Sequence, residues 1–100
     1  MAALPLTSAQ RTRLKSLAHH LDPVVIIGKQ GVTDKVIEAA QAALAAHELI
    51  KVRFNDFKEE KKTLAPEIAA RAEARLVGII GHVAILYREH SDPEKRRIKL

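Results

Sequence analysis

Gly28-Lys29-Gln30-Gly31 is the stretch of this chain whose residue types and spacing could do chemistry. Without a Cβ at Gly28 or Gly31, the backbone there can come close to another chain. Thr33 follows as the N-cap candidate of a helix. The free N–H groups and positive dipole end of that helix would aim at the same place. Lys29 adds a mobile positive charge, and the combination would cradle a phosphate. The same two glycines also suit a bare strand-to-helix turn, and spacing alone leaves both readings open. The loop is not a Walker A motif, because it lacks the longer glycine frame and the Lys-Ser/Thr pair. It is not a dinucleotide fingerprint either, which needs a third glycine.

No other constellation points to catalysis or to a bound cofactor. His19, His20, His47, His82 and His90 include no i, i+4 pair on one helix, and there is no cysteine to help, so no metal site is expected. The lack of cysteine also excludes disulfides, zinc ribbons and thiol nucleophiles. Glu59 and Glu60 are adjacent, so they diverge on a helix and cannot flank a substrate. Ser8, Ser16 and Ser91 lack any elbow or triad context. The expectation is a protein that is not an enzyme.

Charge supplies the next constraint. Lysine plus arginine is 17 and aspartate plus glutamate is 12, for a net charge of +5 on 100 residues and a pI near 9.8. A small domain this basic favours a polyanionic partner. Phe54, Phe57 and Tyr87 are its aromatic residues, which argues against a reader that works mainly by stacking bases on exposed rings. Many of the cations, Lys58, Lys61 and Lys62 among them, read as solvated surface. A patch is expected where Arg11 and Lys15, the glycine loop, and Lys51 and Arg53 could converge. His82, at a hairpin tip, reads as an RNA contact rather than a base.

These residues need elements to position them. The length suits a single domain, with an ordered core over about 6–89 and a basic tail over 90–100, broken by Pro93 and expected to be loose or only partly docked. Thr7 and Gln10 make a capping box for a first helix, whose apolar stripe is Leu14, Leu17, Ala18 and Leu21 and which Asp22-Pro23 ends. Val24 to Ile27 is a continuous β-branched run that suits a strand buried on both faces. A second helix after Thr33 places Val36, Ile37, Ala40, Ala43 and Leu44 inward. In the next strand Ile50, Val52 and Phe54 point one way and Leu49, Lys51 and Arg53 the other. Strand, crossover helix and strand make these two strands parallel. A third helix is expected between Phe57 and Ala74, with a possible capping box from Asp56 and Glu59. Pro66 leaves two options there: a kink, or a regular helix that starts near Thr63. Leu76 to Ile80 and Val83 to Arg88 pair as a hairpin through Gly81-His82, which suits a type II′ turn. The order α-β-α-β-α-β-β predicts an α/β two-layer domain with a four-stranded mixed sheet.

Met1 to Leu6 lacks the features of a secretory signal, and the longest uncharged run, Leu76 to Tyr87, is too short for a membrane span of ~20 residues. A cytoplasmic protein that avoids membranes is expected, and a monomer, because no long apolar face is left over.

Several separated motifs resemble the CRM domain, and the whole chain from about Leu6 to Arg88 resembles its stand-alone bacterial form, the YhbY family. They are Leu14-Lys15-Ser16-Leu17-Ala18-His19, Pro23 to Gly28, and the glycine loop with Val32-Thr33. His47 to Val52, Lys62-Thr63-Leu64, Ile80-Gly81 and Leu86-Tyr87-Arg88 complete the set. The resemblance implies a fold like the C-terminal domain of translation initiation factor three. It also implies RNA binding without catalysis, ribosomal RNA as ligand, and association with large ribosomal subunit precursors during assembly. Gly28, Lys29, Gln30 and Gly31 would then act like the GXXG loop of KH domains, which clamps a nucleic-acid backbone. Arg11, Lys15, Lys51, Arg53, His82 and Arg88 would contact the RNA around it. His82 stands where that family suggests lysine, and Pro66 interrupts the third helix. Two alternatives from other classes are a phosphate- or nucleotide-binding protein using the same loop, and a protein-interaction module.

Overall fold

The computed structural model describes residues 5–100 and has the order α1 (Ser8–Ala18), β1 (Val25–Ile27), α2 (Asp34–His47), β2 (Leu49–Phe54), α3 (Lys61–Arg71), β3 (Arg75–Ile80) and β4 (Val83–Tyr87). Local signals start the helices where polar caps stand. The Thr7 hydroxyl accepts the Gln10 N–H at 3.1 Å while the Gln10 amide oxygen accepts the Thr7 N–H at 3.0 Å, so the capping box on α1 is formed. Thr33 caps α2 by accepting the Val36 N–H. At α3 the expected box from Asp56 and Glu59 is not made. Phe57 turns the chain through a φ of +56°, the N-cap is Glu60, and its side chain makes no capping bond. Pro66 lies inside α3, in its second turn.

The sheet order is β1-β2-β4-β3, with β1 parallel to β2 and β4 antiparallel to both of its neighbours. On one face Ile27, Ile50, Val52, Phe54 and Leu86 meet Ile37, Ala40 and Leu44 of α2 and Ala65, Ile68 and Ala69 of α3. Alanines along both helices bring their backbones close to the sheet. On the other face Leu49, Val77, Ile85 and Tyr87 meet Leu6, Leu14 and Ala18. The α/β class and mixed sheet are as expected. The layering differs in one respect: α1 lies on the face opposite α2 and α3, so the sheet carries helices on both sides.

That placement corrects two expectations. Only Leu14 and Ala18 of the α1 stripe are buried; Leu17 and Leu21 remain exposed, and the helix ends at Ala18, ahead of Asp22-Pro23. β1 is an edge strand buried on one face only. Val25 and Ile27 pack under α2, while Val24 and Ile26 face outward. The reason is coverage, because α1 sits over β2, β3 and β4 and does not reach across β1.

At the start of β2, Glu48 organises the tail. It follows α2 with a φ of +64°, a backbone region that costs a non-glycine residue ~1 kcal/mol. Its carboxylate is buried and accepts the N–H groups of His90 at 3.0 Å and Ile98 at 3.2 Å, together with that of Arg97. Arg96 adds an ion pair to Glu89 at 2.9 Å, and Ile98 packs on the α1-side core. Residues 90–98 therefore fold back onto the domain. Burial alone would raise the Glu48 pKa, but the three backbone donors and nearby His90 outweigh it and hold the carboxyl below its ordinary 4.5.

Glu48→Gln replaces one acceptor oxygen by a donor and leaves a tail N–H unpaired, at an expected cost of about 1–3 kcal/mol. Because the native pKa is depressed, the ionised carboxylate's contribution is complete above the unfolded-state pKa and is lost as pH falls through the native value. Urea unfolding of both proteins from pH 7 to pH 3 checks this. The stability gap between them narrows with acid, and a gap independent of pH would contradict the assignment.

Candidate nucleic-acid interface

Backbone pairing gathers three loops at one end of the sheet. β1 ends at Ile27, whose carbonyl accepts the N–H groups of Asn55 at 3.0 Å and Asp56 at 3.1 Å. β2 ends at Phe54, whose N–H donates to the His82 carbonyl at 2.8 Å. The glycine loop, the 55–60 loop and the β3–β4 hairpin thus emerge side by side. Helices α2 and α3 both begin from this end. The Lys61 ammonium, in the first turn of α3, donates to the Gly81 carbonyl and lies 3.1 Å from His82 Nδ1.

Within the glycine loop, the Gly31 N–H donates to the Gly28 carbonyl at 3.0 Å. This turn leaves Lys29 and Gln30 exposed at its corners. The two glycines have different causes. Gly31 is buried with a φ of +74°, and a Cβ there would sit 3.4 Å from the Phe57 ring. The turn itself requires that glycine. Gly28 has no positive φ, and a Cβ added to it would meet nothing within 4 Å. The fold does not demand glycine at Gly28, and its missing side chain leaves open space beside Lys29. The bare-turn reading therefore covers Gly31 and leaves Gly28 unexplained. At the start of α2, Asp34 places a carboxylate in the first turn, held by Arg71 at 2.8 Å. Part of the positive helix end is already countered within the chain, so the open approach lies over Gly28 to Gln30.

Three cations surround the hairpin tip. Desolvation, followed by the charges of Lys61, Lys58 and Arg53, pushes the His82 pKa below its ordinary 6.5. The imidazole is neutral at pH 7, and the cations around it supply the charge that His82 does not. Gly81 has a φ of +60° and His82 does not share it, as a type II′ turn requires.

The structure brings some expected site residues together and not others. Gly28, Lys29, Gln30, Gly31, Arg53 and His82 share the loop end. Lys51 lies on the same strand face as Arg53, but its ammonium donates to the Leu21 carbonyl at 3.0 Å. Lys15 and Arg11 approach from α1. The Lys15 stem crosses Gly78, where a Cβ would come within 2.7 Å of its Cε, and an Arg11 guanidinium nitrogen lies 3.5 Å from the Val77 carbonyl. Arg88 is not at this end. Its guanidinium donates to the carbonyls of Ala72 at 3.0 Å and Gln41 at 3.2 Å, linking α2 to the end of α3. Lys58 and Lys61 join the site although the sequence suggested only general surface cations. The available signal was the α3 start, since placing it at Lys61 puts both beside the hairpin.

A glycine turn, two helix starts and a hairpin flanked by Lys58 and Lys61 on one end of a mixed sheet define a small α/β domain with a basic, loop-built end. Residues 6–88 match the CRS1 / YhbY (CRM) domain, and the chain belongs to that family. It is 37% identical over 93 residues to "Probable RNA-binding protein PA4753" of Pseudomonas aeruginosa, covering 92% of this chain and 89% of that one. It is 38% identical over 96 residues to "Probable RNA-binding protein YqeI" of Bacillus subtilis, covering 95% and 98%. The solution structure of SAV1595 from Staphylococcus aureus matches with a TM-score of 0.77 at 35% identity, over 94% of this chain and 99% of that one.

The contrast between the two glycines is directly measurable. Gly31→Ala forces alanine into a left-handed backbone and is expected to destabilise by about 1 kcal/mol, whereas Gly28→Ala is expected to be near neutral. Thermal unfolding of the two variants checks the order, and equal losses would contradict it.

Proposed function

We propose that this protein binds RNA without acting on it chemically, and grips the phosphate backbone at the loop end of its sheet. The observation that carries the reading is Gly28, an open, uncrowded glycine beside Lys29 and next to the Arg53, Lys58 and Lys61 cluster. A side chain there would hold a phosphate away from the loop backbone, whereas its absence lets the N–H groups approach. Lysine ammonium groups match the phosphate charge without demanding a base sequence, so recognition is by shape and charge. The family and its relatives named as RNA-binding support the same ligand class.

The ligand we assign is ribosomal RNA within precursors of the large ribosomal subunit, bound by a cytoplasmic monomer that assists assembly. Crosslinking in cells, with sequencing of the bound fragments, addresses the RNA. Sedimentation with subunit precursors addresses the particle. Fragments from other RNA classes alone would overturn the ribosomal assignment.

For the grip itself, affinity for RNA is expected to fall steeply with salt. Lys29→Ala should lower the logarithmic salt slope by about one unit. Gly28→Asp should remain folded, because the site is open, and should lose binding through both bulk and charge. Fluorescence anisotropy from 50 to 300 mM salt reads both effects. A salt-independent affinity, or a folded Gly28→Asp protein that binds normally, would contradict the grip.

A further inference from the structure

Strand register lines up a row of side chains that α1 leaves uncovered. On the α1 side of the sheet, Ile26 stands beside Arg53, Arg53 opposite Val83, and Val83 opposite Ile80. Ile26 is 47% exposed and Ile80 is 58% exposed, while Arg53 is exposed and Val83 half-buried. The next row back, with Lys51, Ile85 and Gly78, is where the Leu21 carbonyl and the Lys15 stem begin the α1 cover. The open row crosses all four strands, roughly 14 Å at ~4.8 Å per strand spacing. It is continuous with both gripping loops, since Ile26 precedes Gly28 by two residues and Ile80 precedes Gly81.

We propose that this strip holds unpaired bases of the RNA whose backbone the glycine loop grips. The proposal rests on the RNA-binding reading and adds the strand state of the ligand. Its chemistry favours nucleobases. The Ile26, Val83 and Ile80 side chains offer an apolar floor for base faces, which lose little on leaving water. Arg53, set within the row, offers a planar guanidinium of the kind that stacks on bases. Lys51, Lys15 and Lys61 border the strip, so a chain lying on it meets positive charge along its phosphates. A protein partner would have to desolvate the same cations. Bases in a duplex present no free faces, so the strip selects single-stranded segments and tolerates their sequence.

An oligoribonucleotide and a matched oligomer with abasic sites carry the same phosphates and separate base contacts from backbone contacts. Wild-type protein is expected to bind the intact oligomer about tenfold more tightly, an effect that roughly 55 Å² of buried apolar surface supplies. An Ile26→Ser, Ile80→Ser double variant should stay folded, with at most a modest drop in melting temperature because both side chains are about half exposed, and should bind the two oligomers alike. Lys29→Ala should weaken both oligomers equally. Wild-type protein that binds both oligomers alike, yet still weakens with Lys29→Ala, would overturn the strip and leave the RNA reading standing. A double variant that keeps the full preference would place the bases elsewhere and overturn it too. Wild-type protein that binds neither oligomer would defeat the RNA reading, and the strip with it.

Discussion

The backbone register between β2 and β4 is the constraint on which the rest of this molecule depends. Leu49 opposite Tyr87 and Arg53 opposite Val83 fix which residues share each face and which loops share each end. Side chains alternate along a strand, so a slip of one residue would send Val52 and Phe54 toward solvent and Arg53 into the core. Such a slip is strongly opposed, since Ile50, Val52 and Phe54 are all buried against α2 and α3. The same register sets the Phe54 N–H against the His82 carbonyl and so carries the hairpin to the glycine loop. The basic end is a by-product of core packing, and no loop has to find the others independently.

The two ends of β2 do different work. At its start, Glu48 converts one buried carboxylate into an anchor for the chain beyond β4, and the Arg88 guanidinium ties α2 to the end of α3. These charged groups serve the fold. At its far end, Arg53 and the lysines of the 55–61 segment surround an exposed turn. Net charge alone does not separate the two roles; the place of each cation in the fold, together with its partners, does. Arg88 is occupied by carbonyls and Arg96 by Glu89, whereas Lys29 stands exposed on its turn.

Much of this was legible in the sequence because the signals are local. Thr7 with Gln10 announces α1, the alternation of Leu49 to Phe54 announces a half-buried strand, and Gly81-His82 announces the hairpin. What the sequence hid depends on distant neighbours. Val24 to Ile27 is apolar throughout, and such a run does not tell a doubly buried strand from one whose outer face is open. That difference is set by how far α1 reaches across the sheet. The α3 start was hidden by the positive φ of Phe57, a conformation its residue type does not advertise. Docking of the tail depends on Glu48, 42 residues from His90 and 50 from Ile98, and no short-range pattern encodes it. The glycine loop was visible from spacing, but the separate causes of Gly28 and Gly31 required the ring of Phe57 and the open space beside Gly28.

The central claim is that RNA is held at the end of the sheet where the glycine loop and the hairpin meet. Amide chemical-shift mapping during titration with a short single-stranded RNA tests it most directly, because it reads every segment at once in the intact protein. Shifts should concentrate at Gly28 to Gly31, at Arg53 and the 55–61 segment, and at Ile80 to Val83. Shifts confined to the opposite end, around Glu48, Arg88 and the tail, with the glycine loop unchanged, would contradict it.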